Sequence, residues 1–145
     1  MLATSGIDRE RADNKCHVAH LFTDLAPQLL AKRGLGPVSA AQAIVSWSHP
    51  GRCRNDAGYA ALAGASPIPA SSGRIVRHRL NRGGDRHLNR TLHDILLSRW
   101  RTCQRTRAYI TRRRAEGKTD PEIRRCLKRY IARELYRSLN TAMAA

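Results

Sequence analysis

Apolar residues recur at helical spacing along most of the chain, and the recurrence sharpens towards its C-terminal end. Thr119-Asp120-Pro121-Glu122 has the form of a capping box. After it, Ile123, Leu127, Tyr130, Ile131, Leu135 and Leu139 trace one face of a single helix. Arg125, Lys128, Arg129, Arg133 and Arg137 fall mostly off that face, as a basic surface suited to DNA or RNA and equally to plain solvation. A long helix is predicted from about Asp85 to Gln104, with Leu88, Leu92, Ile95, Leu96, Trp100 and Cys103 as its apolar stripe. A shorter one follows from about Thr106 to Ala115, stopped by Gly117.

Upstream, Leu21, Leu25, Leu29 and Leu30 predict a helix over about 18–33 despite Pro27, broken by Arg33-Gly34-Leu35-Gly36-Pro37. A small-residue helix is expected from about Ser39 to Trp47, then a turn at His49-Pro50-Gly51. Asn55 is placed to cap a helix over Asp56–Ala63 that Gly64 closes. Residues 66–81 carry two prolines, adjacent serines and the β-branched pair Ile75-Val76, which predicts irregular loop with a short hairpin or extended arm. Residues 1–20 are polar without a clear period. The expected fold is therefore mainly α: a helical domain with a helix-hairpin-helix-like element and an arginine-rich loop or short hairpin. It divides into a poorly ordered polar arm (1–24), the domain (25–140) and a tail (141–145).

Charge changes the picture most. Among 145 residues, 27 Lys and Arg stand against 11 Asp and Glu, a net charge of +16. The first 50 residues hold five basic side chains and four acidic ones, so nearly all of the excess lies in residues 51–145. Only four basic residues are lysine (15, 32, 118 and 128). Solubility alone does not require an arginine bias, whereas bidentate recognition of phosphate favours it. No lipidation motif or strongly apolar helix face accompanies the charge, and no apolar run approaches membrane-spanning length, so nucleic acid is favoured over a membrane surface. Aromatic residues make up 5%, too few for a base-stacking platform of the single-strand-binding kind. The four cysteines (16, 53, 103 and 126) form no CxxC pair, and the N-terminus lacks the basic start and apolar core of a signal peptide. Reduced cysteines in a cytoplasmic protein are the plain expectation.

Two stretches carry candidate chemistry. Gly34-Leu35-Gly36-Pro37 resembles a helix-hairpin-helix turn, in which glycines let the backbone approach a phosphate and the next helix start supplies N–H donors. The same turn also serves as an ordinary connector. Ser71-Ser72-Gly73 sets two hydroxyls beside a glycine, and Arg74, Arg77, Arg79, Arg82 and Arg86 follow. A hydroxyl attacking a phosphodiester needs its developing charge neutralised, which those guanidiniums can do. A solvated basic arm that binds DNA without chemistry has the same composition, and Ser and Gly also simply populate loops. His78 could accept a proton near the serines. The histidines (17, 20, 49, 78, 87 and 93) form no zinc pattern, and Cys16-His17-Val18-Ala19-His20 lacks the further ligands of a closed site, so no metal residue is assigned.

An ordered series of blocks carries a family resemblance. Leu29-Leu30-Ala31-Lys32-Arg33-Gly34-Leu35-Gly36-Pro37 leads to Tyr59-Ala60-Ala61-Leu62-Ala63-Gly64 and then Ser66-Pro67-Ile68-Pro69-Ala70-Ser71-Ser72-Gly73. Arg77-His78-Arg79-Leu80-Asn81-Arg82-Gly83-Gly84-Asp85-Arg86 follows, then Leu88-Asn89, Arg107-Ala108-Tyr109 and Ile123-Arg124-Arg125-Cys126-Leu127-Lys128-Arg129-Tyr130. Over about residues 25–140 this resembles the C-terminal transposase domain of the insertion sequence 110/116/902 family. The resemblance implies a serine recombinase whose nucleophile, directly before a glycine, is Ser72 here, with Ser71 its neighbour. It further implies attack on a DNA phosphodiester to give a covalent phosphoserine, guidance by a bridge RNA, and work as a homo-oligomer.

In that family the metal, Mg, sits in an N-terminal RuvC-like domain with four acidic ligands. Asp8, Glu10 and Asp13 lie in the polar arm and do not form that architecture, so no cofactor is expected in this chain. The expectation is a truncated or split transposase of the bacterial cytoplasm, inactive alone, whose partners are DNA, guide RNA and another copy or a separate RuvC-like protein. The alternative is a non-enzymatic nucleic-acid-binding remnant that acts on an intact transposase.

Overall fold

The computed structural model describes residues 2–66, 68–69, 73, 78–79 and 83–143. Among them are seven helices and one short strand pair: α1 (Leu2–Leu25), α2 (Pro27–Leu30), α3 (Pro37–Trp47), α4 (Asp56–Leu62), β1 (Ile68–Pro69), β2 (His78–Arg79), α5 (Arg86–Thr102), α6 (Gln104–Ala115) and α7 (Asp120–Met143). The fold is mainly α, as the periodicity predicts. No described helix is long and apolar enough to cross a membrane.

The last helix organises the rest. Its start is the expected capping box: the Thr119 N–H and hydroxyl donate to Glu122 Oε2 at 2.8 and 2.9 Å. Ile123, Leu127, Ile131, Leu135 and Leu139 are buried along α7, which packs against α2, α3, α4, α5 and α6. Each such side chain stabilises the fold by about 1.5–3 kcal/mol. Tyr130, expected in the same stripe, is 58% exposed. The reason is geometric: residues four apart advance about 40° around a helix of 3.6 residues per turn. By the height of Tyr130 the core-facing direction has moved on, and its ring meets Tyr109 edge-on at 6.0 Å instead.

The α5 stripe is buried at Leu88, Leu92, Ile95 and Leu96, while Trp100 and Cys103 are half-buried at its end. Three polar atoms lock the remaining helices onto this core. Trp47 Nε1 donates to Asn140 Oδ1 at 3.0 Å, the buried Tyr59 hydroxyl to the Ala43 carbonyl at 3.0 Å, and the Tyr136 hydroxyl to the Cys53 carbonyl at 2.9 Å. Burial pushes the Tyr59 hydroxyl pKa up, so it remains a donor.

The N-terminal region departs from expectation. The helix expected over 18–33 is divided at Ala26, where Pro27 cannot continue the α1 hydrogen-bond ladder and instead takes the first position of α2. The polar residues before it continue α1 back to Leu2. Side chains 6–17 are all exposed, so this stretch has no buried stripe to give a period. Its Ala, Arg, Glu and Lys residues nonetheless favour helix intrinsically.

Candidate nucleic-acid interface

The serine-bearing segment leaves and re-enters the helical core at one point. Helix α4 begins as expected, with Asn55 Oδ1 accepting from Gly58 N at 2.8 Å. It ends in a Schellman turn: Gly64 N donates to Ala61 O at 2.9 Å and Ala65 N to Ala60 O at 2.8 Å, with Gly64 at φ +66°. The chain returns at Gly84-Asp85, where Asp85 N donates to Leu62 O at 2.6 Å. Backbone meets backbone here, for a Cβ on Gly84 would lie 2.5 Å from Gly64 N and 2.7 Å from Leu62 O. Further out, β1 and β2 pair antiparallel, Ile68 opposite Arg79 and Pro69 opposite His78; the residues that would join them, apart from Gly73, lie outside the described residues.

Asp85 fixes the return. Its Oδ1 caps α5 by accepting from His87 N at 2.9 Å and Leu88 N at 3.0 Å, and its Oδ2 accepts from the buried Ser46 hydroxyl at 2.7 Å. Burial works against ionisation, but these bonds outweigh it and hold the Asp85 carboxyl below the usual carboxylate range. Asn89 adds a second tie, donating from Nδ2 to Ala63 O at 2.7 Å and accepting from Lys128 Nζ at 3.0 Å. Burial pushes the Lys128 ammonium pKa down.

Of the residues singled out in the sequence, Ser71, Ser72, Arg74, Arg77 and Arg82 lie outside the described residues. His78 and Arg79 have their backbone placed in β2. Arg86 is exposed in the first turn of α5. Gly34 and Gly36 prove unlike each other. Gly34 adopts φ +86° and packs on α5, where an added Cβ would meet Ile95 O at 3.1 Å. Its need for glycine is thus accounted for by packing. Gly36 is exposed at the N-cap of α3 with open space around it. Ile95 and Arg99 lie nine and thirteen residues along α5 from Arg86, roughly 14–20 Å at the 1.5 Å rise. The Gly34 turn and the hairpin base therefore contact opposite ends of one helix.

Basic residues divide into two classes that the sequence does not separate. One class is paired within the protein. Glu134 receives Arg99 Nη1 at 2.7 Å and Lys32 Nζ at 3.2 Å, while Arg99 Nε donates to Arg33 O and Arg33 Nη1 to Thr102 O. Burial opposes the Glu134 charge, but Arg99 and Lys32 outweigh it and lower its pKa. Asp56 holds Arg137 at 2.8 Å and Arg133 at 3.8 Å, so part of the basic face of α7 is occupied. Arg113 pairs with Glu116 and Arg114 with Asp120. The other class is exposed without an ion pair or side-chain hydrogen bond among the described residues, and includes Arg54, Arg86, Arg90, Arg101, Arg105 and Arg107. Arg101, at the end of α5, and Arg105 and Arg107, at the start of α6, sit at the junction of the two helices.

Among the described residues no group of three or more His, Cys, Asp or Glu side chains could hold a metal ion. No curated protein matches the sequence. The family model described as Transposase IS116/IS110/IS902 family matches residues 26–111, which takes in the Gly34 turn, the hairpin with its Gly64–Gly84 base, α5 and most of α6. That match spans more than half of the 145 residues, and the chain belongs to this transposase family, with a role in transposition.

Proposed function

We propose that this chain is a nucleic-acid-binding transposase domain that grips the phosphate backbone of DNA and carries its reactive serine, Ser72, on the hairpin. The observation that carries the binding half is the division of the arginines. Asp56, Glu116, Asp120 and Glu134 already hold arginines, yet Arg86, Arg90, Arg101, Arg105 and Arg107 stay exposed and unpaired among the described residues. Exposed guanidiniums in such excess repel one another unless an anionic polymer neutralises them.

The catalytic half rests on the family and on the hairpin's place. Ser72 Oγ would form a bond to a DNA phosphorus as the bond from that phosphorus to one sugar oxygen breaks, the hydroxyl proton leaving to a base such as His78. Arg74, Arg77, Arg79 and Arg82 would neutralise the phosphoryl oxygens. The acidic metal site would come from a RuvC-like domain, the target choice from a guide RNA, and assembly from further copies.

The test has two arms. Affinity for duplex DNA, measured by anisotropy, should fall steeply with salt, log Kd changing by about 0.9 per decade of salt for each phosphate neutralised. With a RuvC-like partner, Mg, guide RNA and target DNA added, a denaturation-resistant protein–DNA adduct should form, vanish in Ser72→Ala and persist in Ser71→Ala. Salt-insensitive binding removes the first half. Intact binding with no adduct leaves a binding protein that acts on an intact transposase.

A further inference from the structure

A cleft of about 430 Å³ opens where α5 gives way to α6, lined by Trp100, Arg101, Arg107, Ile110, Thr111 and Arg114. Its cause is Cys103, whose extended backbone (φ −92°, ψ 113°) serves both helices. Cys103 N closes α5 on Arg99 O at 2.8 Å, and its carbonyl opens α6 by accepting from Arg107 N at 3.0 Å. The chain thus changes direction without a loop, leaving a concave corner rather than a convex helix face.

The corner combines three kinds of group. Ile110 is buried and Trp100 half-buried, and together they make one side of the wall apolar. The indole already carries two cations, the guanidinium carbons of Arg124 and Arg114 at 5.4 and 5.8 Å from its ring centroid; Arg124, in no ion pair or side-chain hydrogen bond among the described residues, is the one that a stacking base displaces. Arg114 is neutralised by two 2.8 Å bonds to Asp120. Arg101 and Arg107 are not neutralised; both are exposed, and no carboxylate or carbonyl among the described residues accepts from either side chain.

An aromatic wall beside two free guanidiniums matches the two faces of a nucleotide, a base that stacks and a phosphate that needs donors. The volume lies at the small end of sites that hold small organic ligands, about 300–1,000 Å³. A paired, stacked duplex offers its phosphates to such a corner but keeps its base faces covered, so it cannot use the indole. The low aromatic content excludes a platform of several rings; a single seat is a different device.

We propose that this cleft seats one unstacked nucleotide of a single-stranded nucleic acid, its phosphate between Arg101 and Arg107 and its base against Trp100. The inference rests on the proposed function's premise that the chain meets nucleic acid and on two of its unpaired arginines, Arg101 and Arg107, but it does not depend on Ser72.

The protein supplies its own reporter, because Trp47 is buried at 1% exposure and Trp100 faces the cleft. Titration with an oligothymidylate of about ten nucleotides should quench part of the tryptophan emission saturably, and an equal-length duplex should bind without that quench. Arg101→Gln and Arg107→Gln should each weaken single-strand affinity about 5-fold and together about 20-fold or more, against a smaller loss of duplex affinity by anisotropy, about 2- to 3-fold each, from the lost phosphate contact. Trp100→Phe should retain single-strand binding and Trp100→Leu should lose it. Both arginines are exposed, so their variants test the site even if Trp100→Leu does not fold. Equal quenching by duplex, saturation by inorganic phosphate alone, or single-strand affinity unmoved in the double variant would overturn the proposal. Duplex binding with no quench by the single strand removes this inference alone, whereas failure to bind any nucleic acid removes the proposed function with it.

Discussion

Gly84→Ala is the sharpest perturbation of the hairpin base. The new methyl carbon would stand 2.5 Å from Gly64 N, 2.7 Å from Leu62 O and 2.9 Å from Gly64 Cα, all backbone atoms with no rotamer to change. Ordinary contact begins near 3.4 Å, so the two chains must separate by about 0.9 Å. That shift stretches the 2.6 Å bond from Asp85 N to Leu62 O to about 3.5 Å, beyond useful hydrogen-bond length. Overpacking costs about 1–3 kcal/mol and the lost bond about 1 kcal/mol, giving about 2–4 kcal/mol. For a chain of this size each kcal/mol lowers the melting temperature by about 3 °C, so a drop of about 6–12 °C is expected by circular dichroism. Gly6→Ala, in exposed helix with nothing within 4 Å, is the control and should be neutral or stabilising by about 0.5–1 kcal/mol. A Gly84→Ala protein melting within 1 °C of wild type would show that the α4 end and the hairpin return do not cross at this distance.

Gly34→Ala should cost about 1–2 kcal/mol in urea unfolding, because Gly34 combines φ +86° with a 3.1 Å approach to Ile95 O. Gly36→Ala should cost well under 1 kcal/mol, its site being open and its φ of −87° ordinary. Asp85 and Glu134 both have lowered pKa values in the fold, so their stabilisation is whole above their unfolded pKa values of about 4 and fades as pH falls through the folded ones. Asp85→Asn should therefore lower stability at pH 7 and flatten the loss measured between about pH 5 and pH 2. Glu134→Gln should destabilise by about 1 kcal/mol at pH 7, a modest figure because its side chain is 39% exposed and water already screens Arg99 and Lys32.

Local signals were legible wherever one segment decides its own structure. The Thr119–Glu122 box, the Asn55 cap, the Gly64 stop and the buried run from Ile123 to Leu139 need only their neighbours in sequence, and each was in place. Signals that need a partner from elsewhere were not. Residues 6–17 of the Leu2–Leu25 helix, all exposed, carry no buried stripe to announce it. Tyr130 left the stripe because the core direction drifts around α7. Gly34 invited a phosphate reading from its Gly-x-Gly-Pro setting, while its immediate reason is the backbone of Ile95. Trp100 read as one more apolar position of α5, since nothing in the spacing shows that Cys103 bends the chain and opens a corner beside it.

The arginines carry this distinction furthest. A count of basic residues treats Lys32, Arg33, Arg99 and Arg137 as part of the same excess as Arg101 and Arg107, yet the first four spend donors on Glu134, Thr102 and Asp56. Removing one of those should cost stability and leave the salt slope of DNA binding nearly unchanged. Removing Arg86, Arg90, Arg105 or Arg107 should leave the melting temperature unchanged and reduce that slope by about one phosphate each. The two responses are opposite in kind, so one variant from each class, measured for both melting and salt dependence, decides whether the division between paired and unpaired arginines is what directs this surface to nucleic acid. Equal slopes in both classes would mean that charge alone, irrespective of partner, drives the binding.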